Sequence, residues 1–383
     1  MMRFENIQTL LAGGDLQKPY YCIYPRVYKE RAGEFVSAFP GRVLYAVKAN
    51  DHPAILRLLH EGGVEHFDCA SVPEIELVRE HCPGTTPYFM VPVRLKGAAE
   101  DAYARLGVRH YMVDHASGID LLADEIDLGS VTVFVRMAVH HDSALQDLSS
   151  KFGAELEQVP GLLMAVKERG AEPALAFNVG SSVMKTDAYL HAMQKAVEVL
   201  QQLPFQVSLV DIGGGYPLSY PHFPAPALSE YHDAIREAAK SLPMTPGGEL
   251  MTEPGRALAA PGLSALVSVL LRKEDRLYLN DGMYGIFWEL RFKGHQQFPV
   301  RTYRDGEVLQ GETLSFQLYG PTCDATDVLP GRVDLPVDMR PGDLLEFGQI
   351  GAYSLSGRTC FNGFYSDQVV EFTDPSAEPP NTL

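Results

Sequence analysis

From residue 43 to residue 253 the chain alternates short, nearly continuous apolar runs with longer amphipathic stretches. The runs at 43–49, 66–70, 87–92, 110–114, 131–137, 173–179, 207–212 and 249–253 lack the strict alternation of a half-exposed strand. They suit strands covered on both faces, as in a parallel sheet wrapped by helices. Between them, stretches such as 54–60 and 228–242 repeat apolar residues at helical spacing. Ser71-Val-Pro-Glu74 forms a capping box with proline near the first helical position, which predicts a helix over 74–81 directly after a strand. Eight such strand-then-helix units are the number that closes a parallel (β/α)8 barrel rather than leaving an open sheet.

Past residue 262 the rhythm changes. Strand candidates at 263–271, 276–280, 298–303, 314–319, 344–347 and 368–372 lie among turn signals such as Asp305-Gly306, Pro341-Gly342 and Asn362-Gly363. The expected architecture is therefore α/β: a barrel over 24–262 and an all-β domain over 263–373. The strand-like run at 20–24 has no partner in a barrel that starts there, so residues 1–23 are expected to pack with the β domain. Residues 374–383 are polar and Pro-rich and are expected to be a disordered tail.

Composition narrows the partners. With 32 Lys and Arg against 49 Asp and Glu, the formal net charge of -17 argues against nucleic acid. The five cysteines are odd in number and lack metal-ligand spacing, so neither a disulfide framework nor a zinc site is expected. His140, His141 and Asp142 follow a strand on a polar loop and read as solvated, so no metal is expected. There is no secretory leader pattern, and no apolar run approaches the ~20 residues of a membrane span. A cytoplasmic protein with no membrane partner is the expectation.

In a barrel of this kind, polar residues at the C-terminal strand ends are read together as one site. Here they are Lys48 with Asn50, Asp68, Arg136, Asn178 with Gly180 and Ser181, Asp211 with Gly213, Gly214 and Gly215, and Glu253 with Gly255 and Arg256. A lysine at the mouth of an apolar strand sits where desolvation lowers its pKa and suits Schiff-base chemistry. Three consecutive glycines release backbone N–H groups toward an anion, and Arg256 adds a forked cationic contact. Their spacing is not that of a dinucleotide fingerprint. Lysine, phosphate cradle and a carboxylate, Glu253, suited to a pyridinium nitrogen together specify pyridoxal 5'-phosphate.

The motifs Tyr45-Ala-Val-Lys48-Ala-Asn50, Phe67-Asp-Cys-Ala-Ser71 with Glu74, Ser150-Lys-Phe-Gly153, Val179-Gly-Ser181, Asp211-Ile-Gly-Gly-Gly215, Glu253-Pro-Gly-Arg256, Asp281-Gly-Met-Tyr-Gly285, Gly320-Pro-Thr-Cys-Asp324, Gly351-Ala-Tyr353 and Phe361-Asn-Gly-Phe364 occur in order. From about Tyr20 to Tyr365 the chain resembles the ornithine, diaminopimelate and arginine decarboxylases, and most of all the ornithine branch. The resemblance implies that Lys48 carries the cofactor and that Glu253 pairs with the ring nitrogen. Ser181, Gly213 to Gly215, Gly255, Arg256 and Tyr353 would hold the phosphate, and Asp68, Glu74, Arg136 and Asn178 would support the ring and the lysine. Cys323 would return a proton to the substrate Cα, with Asp324 and Phe361 on the substrate side. It also implies a head-to-tail homodimer in which Cys323, Asp324 and Tyr353 reach the partner's barrel. The expected reaction removes the α-carboxylate of an ornithine- or lysine-like amino acid to give a diamine, as in polyamine biosynthesis.

Two departures bear on reactivity and substrate. Asn178 stands where the ornithine decarboxylases carry a histidine stacked on the ring, and an amide does not titrate near neutrality. Ungapped counting from Asp281-Gly-Met-Tyr-Gly285 puts Lys293 where the family places a second acidic residue for the distal ammonium, unless a shift moves Glu289 into that role. A lysine there would favour a modified or conjugated substrate with a different distal group. A racemase would need opposed acid and base groups, which the motif around Cys323 does not suggest. A non-catalytic regulator of the antizyme-inhibitor type tolerates loss of Lys48, Cys323, Glu253 or Arg256, and all four are present.

Overall fold

The computed structural model describes residues 1–140, 150–291 and 297–381, which divide into two units. One comprises residues 32–217 and 225–255; the other comprises residues 1–31, 218–224 and everything from 256 onward.

In the first unit eight parallel strands close into a barrel: Arg42–Ala46, His66–Cys69, Thr86–Phe89, His110–Val113, Thr132–Arg136, Glu172–Ala176, Val207–Asp211 and Met244–Thr252. The last pairs back onto the first, with Thr252 opposite Val43. Local chemistry starts the helices between them. His52 caps the helix Pro53–Glu61 by accepting the Ala54 N–H at 3.3 Å, and the helix buries Ile55, Leu58 and Leu59. At Val72–His81 the Ser71 hydroxyl accepts the Glu74 N–H at 3.4 Å, but Glu74 reaches one residue further back than a standard capping box, to the Ala70 N–H at 2.6 Å.

Side chains two apart on a strand share a face. Leu44, Tyr88, Met112, Phe134, Ala174, Leu209 and Met251 form one buried cluster drawn from seven strands, which is the barrel interior. A step of two toward the C-terminal strand ends gives Arg136, Asp211 and Glu253; a step the other way gives Arg42, His110 and Glu249. The interior is thus apolar in the middle and polar at both rims.

The second unit holds a ten-stranded sheet. Tyr20–Ile23 runs antiparallel to Leu263–Lys273 and parallel to Val369–Phe372, which in turn pairs with Met2–Phe4. Its core gathers Ile7, Leu10, Tyr20, Tyr24, Leu266, Tyr303 and Phe372 among others. The boundaries at 24 and 262 drawn from apolar periodicity shift here, because residues 24–31, 218–224 and 256–262 group with the sheet. Tyr28 donates its hydroxyl to the Ala259 carbonyl at 2.9 Å, and a Cβ on Gly262 would lie 2.4 Å from the Tyr28 ring. Residues 374–381 are ordered rather than a loose tail: Pro379 and Pro380 are buried, Glu378 pairs with Arg26 at 2.7 Å, and Asn381 accepts from Gln349 at 3.0 Å. Pro-rich polar composition reports the absence of an amphipathic pattern, not the absence of a docking surface.

At the N-terminal rim, Arg42 pairs with Glu249 and donates to the Tyr88 hydroxyl at 2.9 Å, while the Tyr88 and His110 rings stack at 4.0 Å. Burial, with Arg42 and His66 adding positive charge nearby, pushes His110 down to about 4. Its neutral form is the folded form, so the stability it contributes is present above about pH 6.5 and is lost as pH falls toward 4. His110→Phe keeps the stack without the titration. Its unfolding free energy is expected to gain on the wild type by up to about 3 kcal/mol between about pH 6.5 and about pH 4. Urea unfolding across that range measures it, and a difference that stays constant with pH would refute the assignment.

Candidate functional site

The strand Arg42–Ala46 stops two residues before Lys48, which sits instead on a single 3-10 turn, Val47–Ala49. The turn is closed by the Asn50 N–H on the Val47 carbonyl at 3.0 Å and braced by the Tyr45 hydroxyl on the Asn50 carbonyl at 3.0 Å. Lys48 is half exposed, at 50 %, so it is not the desolvated lysine expected of a strand end. Its Nζ lies 3.5 Å from Oδ2 of Asp68, which is buried.

Three more acids share this end of the barrel. Burial pushes Asp68 up, with Lys48 and Arg136 pulling it back. Burial raises Asp211 to about 6 although the Gly213 N–H donates to its Oδ1 at 2.9 Å. Glu253 is raised well above the usual carboxylate range, first by burial and then by the Asp211 and Asp68 charges. Its carboxyl and that of Asp211 lie within hydrogen-bonding reach of each other, a contact open only while one of them holds a proton, and neither the Glu253 Oε1 nor the Asp211 Oδ2 meets another partner among the described residues. Glu74, behind them, is raised to about 7 by burial. Carboxyls crowded in a low-dielectric pocket cannot all ionise without added positive charge. The site is built to receive a cation beside Glu253.

The glycine run is a backbone cradle. Gly213 and Gly215 have φ of +70° and +105°, and a Cβ on Gly214 would lie 2.3 Å from the Glu253 carbonyl oxygen. Their carbonyls are turned into the protein: Gly213 O accepts from Thr252 Oγ1 at 2.7 Å and the Glu253 N–H at 2.9 Å, and Gly214 O accepts from the Tyr189 hydroxyl at 2.6 Å. The Gly213 N–H is spent on Asp211, so of the three amides only those of Gly214 and Gly215 lack a protein acceptor among the described residues. Val183 donates to Gly215 O at 2.8 Å, which lays the loop carrying Ser181 along the same turn. Asn178 accepts the Gly180 N–H at 3.0 Å, so its side chain holds this loop. Gly255, buried, follows Glu253 and Pro254. The Arg136 guanidinium lies 5.7 Å from the Phe152 ring centroid. An anion cradle and orphaned buried carboxyls at one barrel end, with a lysine at its mouth, fit pyridoxal phosphate.

In the sheet unit, Arg256 opens the short helix Arg256–Ala259 and donates through Nη1 to Glu289 at 2.5 Å. Burial pulls the Arg256 pKa down, but the Glu289 carboxylate more than offsets it, and the net shift is upward. Glu289 is buried and pairs with Arg256 through Oε2, while its Oε1 is buried without a hydrogen-bond partner among the described residues. The Arg256 Nε is buried without a partner among the described residues, and its guanidinium lies 5.4 Å from the Tyr353 ring. Tyr353 takes a left-handed φ of +54°, in a turn where a Cβ on Gly351 would meet the Ala259 carbonyl oxygen at 2.0 Å.

Cys323 is exposed and donates its N–H to Asn362 Oδ1 at 3.2 Å. Asp324 next to it accepts from the Tyr284 hydroxyl at 2.6 Å and from Thr326 N–H and Oγ1, both at 2.8 Å. These contacts hold its carboxyl below the usual range. Phe361 stacks on Tyr284 at 4.4 Å. Asp327, which sequence reasoning passed over, ties the two motif loops together by accepting from the Met283 N–H at 2.7 Å and the Thr322 hydroxyl at 2.7 Å. Its signal was only an acid three residues past Asp324. Lys293, Phe292, His141 and Asp142 lie outside the described residues. No group of three potential metal ligands and no helix long and apolar enough to cross a membrane occurs among those described.

Residues 27–260 match the pyridoxal binding domain of the pyridoxal-dependent decarboxylases, and residues 224–351 match the C-terminal sheet domain of the same family. The lysine/ornithine decarboxylase of Selenomonas ruminantium is 32 % identical over 87 % of this chain and 84 % of its own length. Antizyme inhibitor 2 of Xenopus laevis is 29 % identical over 88 % of this chain and 76 % of its own. Among solved structures, the lysine/ornithine decarboxylase of Vibrio vulnificus complexed with putrescine superimposes with a TM-score of 0.83 at 27 % identity, covering 98 % of this chain and 100 % of that one. The arginine decarboxylase of Paramecium bursaria Chlorella virus bound to agmatine gives 0.84 at 25 %, covering 96 % and 98 %. With both domains matched in order and the barrel end fitted to the cofactor, the chain belongs to the pyridoxal-dependent decarboxylases.

Proposed function

We propose that this protein removes the α-carboxylate of a free amino acid with an extended side chain, acting as a homodimer with shared sites. The observation that carries the reading is Lys48 Nζ facing buried Asp68 at 3.5 Å, at the barrel end that also holds the glycine turn and Glu253. Pyridoxal phosphate, when bound, supplies an electron sink for the pair left behind as carbon dioxide departs. Lys48 is the amine that carries it, and Asp68 orients that amine. Glu253 would pair with the ring nitrogen, and a positive charge there would favour the ionised form of a carboxyl that burial holds protonated. The Gly214 and Gly215 amides, Ser181 and Gly255 of the barrel unit would hold the phosphate, and the resemblance gives Arg256 and Tyr353 of the sheet unit the same role. Asn178, held by the Gly180 N–H, offers an amide face but no titrating group near neutrality. Cys323, exposed beside Asp324, returns the proton to Cα from the partner subunit's side of the shared site. Relatives named for lysine, ornithine and arginine make basic amino acids the reference substrates.

Lys48→Ala is expected to lose turnover by about 10³-fold or more, together with the visible absorbance of the bound cofactor. Cys323→Ala is expected to keep that absorbance and to lose about 10²- to 10⁴-fold in product amine. Carbon dioxide release with product mass reads both. Full activity of Lys48→Ala would end the proposal, and a wild type that binds the cofactor yet turns over no amino acid would favour the antizyme-inhibitor-like reading.

Glu253→Gln tests the charge argument without turnover. A carboxyl raised in the folded state contributes stability at low pH that is lost as pH rises through its folded value. Cofactor-stripped wild type is therefore expected to lose melting temperature more steeply than Glu253→Gln as pH rises above the ordinary carboxylate range, while the variant retains the cofactor less well. Parallel slopes would show that Glu253 does not carry the burden assigned to it.

A further inference from the structure

Asp324 is the residue that the family resemblance assigns to a distal ammonium, yet its carboxylate is already engaged within its own chain. Oδ2 accepts from Tyr284 and Oδ1 accepts twice from Thr326, at 2.6, 2.8 and 2.8 Å. The nearest candidate for a helper acid, Glu289, is buried against Arg256. What stands beside Asp324 instead is a cation. Arg291 lies with its guanidinium 4.3 Å from the Tyr284 ring centroid and is fixed by Nε on the Met283 carbonyl at 3.0 Å. It is exposed, and its two terminal nitrogens meet no acceptor among the described residues. Stacking on Tyr284, itself stacked by Phe361 at 4.4 Å and hydrogen-bonded to Asp324, gives this guanidinium a set direction before any ligand arrives.

A forked pair of N–H donors held in place matches a carboxylate and repels an ammonium. The Arg291 charge also acts on Asp324, offsetting the negative field that a distal ammonium would need. We propose that Arg291 is a specificity-determining residue of this enzyme, selecting amino acids whose far end bears a carboxylate over those that end in an amine. The inference rests on the decarboxylase reading above, since that reading places the Asp324 loop at the substrate.

Equilibrium binding separates the two. The holoenzyme is titrated calorimetrically with an acid series (glutamate, 2-aminoadipate, 2-aminopimelate) and a basic series (ornithine, lysine). At least one acid is expected to bind 10-fold or more tighter than either base. Arg291→Ala is expected to lose about 10- to 100-fold in acid binding and to erase the preference, with Arg291→Lys retaining part of it. An unchanged melting temperature, with lysine affinity unchanged or increased, shows that the loss is local. No preference for the acid series, or a preference that survives Arg291→Ala, overturns the assignment. Carbon dioxide release from the tightest ligand is scored separately, so that a failed decarboxylase reading and a failed Arg291 assignment give different results.

Discussion

The arrangement of the barrel unit turns on the cost of burying like charges. Asp68, Asp211 and Glu253 are buried and act on one another, with Lys48 and Arg136 as the cations beside them. Burial raises all three, and one buried oxygen on each, Asp68 Oδ2, Asp211 Oδ2 and Glu253 Oε1, has at most the Lys48 ion pair or the other acid for company among the described residues. Such a cluster is retained in a fold when something else completes it, because each unpaired buried group costs roughly 1–3 kcal/mol or more. A cofactor with a cationic ring nitrogen and an anionic phosphate would be a complementary guest, offering positive charge to the carboxyls and negative charge to the amides of Gly214 and Gly215. The same protein groups that cost stability in the unliganded barrel would then hold the ligand.

That cluster is positioned by strand periodicity rather than by loops. Arg136, Asp211 and Glu253 each lie two residues beyond an interior apolar side chain, Phe134, Leu209 and Met251. A rigid, paired strand therefore aims each polar group. Only Lys48 leaves the pattern: the 3-10 turn that carries it gives the amine a half-exposed position beside buried Asp68.

Much of this was legible in the sequence for the same reason. Eight apolar runs too continuous for half-exposed strands, each ending in polar residues, signal strands covered on both faces, and the barrel strands lie where those runs fall. What was illegible depends on contacts between residues far apart in the chain. Nothing local shows that Glu289 will bury itself against Arg256, 33 residues away, or that Asp327 will accept from Met283, 44 residues away. The grouping of residues 24–31 with 256–262 rests on Tyr28 meeting Ala259, and the ordered 374–381 segment rests on Arg26. Periodicity reports which face of an element is buried, but not which distant element covers it.

The two units also differ in how they hold function. The groups suited to the reaction sit on barrel strands and a glycine turn braced by Thr252 and Tyr189, where a change of side chain would collide with backbone. Tyr284, Asp324, Phe361 and Arg291 sit on connections outside the sheet strands, where side chains change with little effect on the fold. Chemistry fixed on strands and selectivity carried by loops explains how one architecture serves relatives named for lysine, ornithine and arginine. With the Asp324 loop at the substrate, as proposed, the same division lets the Arg291 guanidinium stand beside it, because the charge presented there is set on a connection and not by the barrel strands.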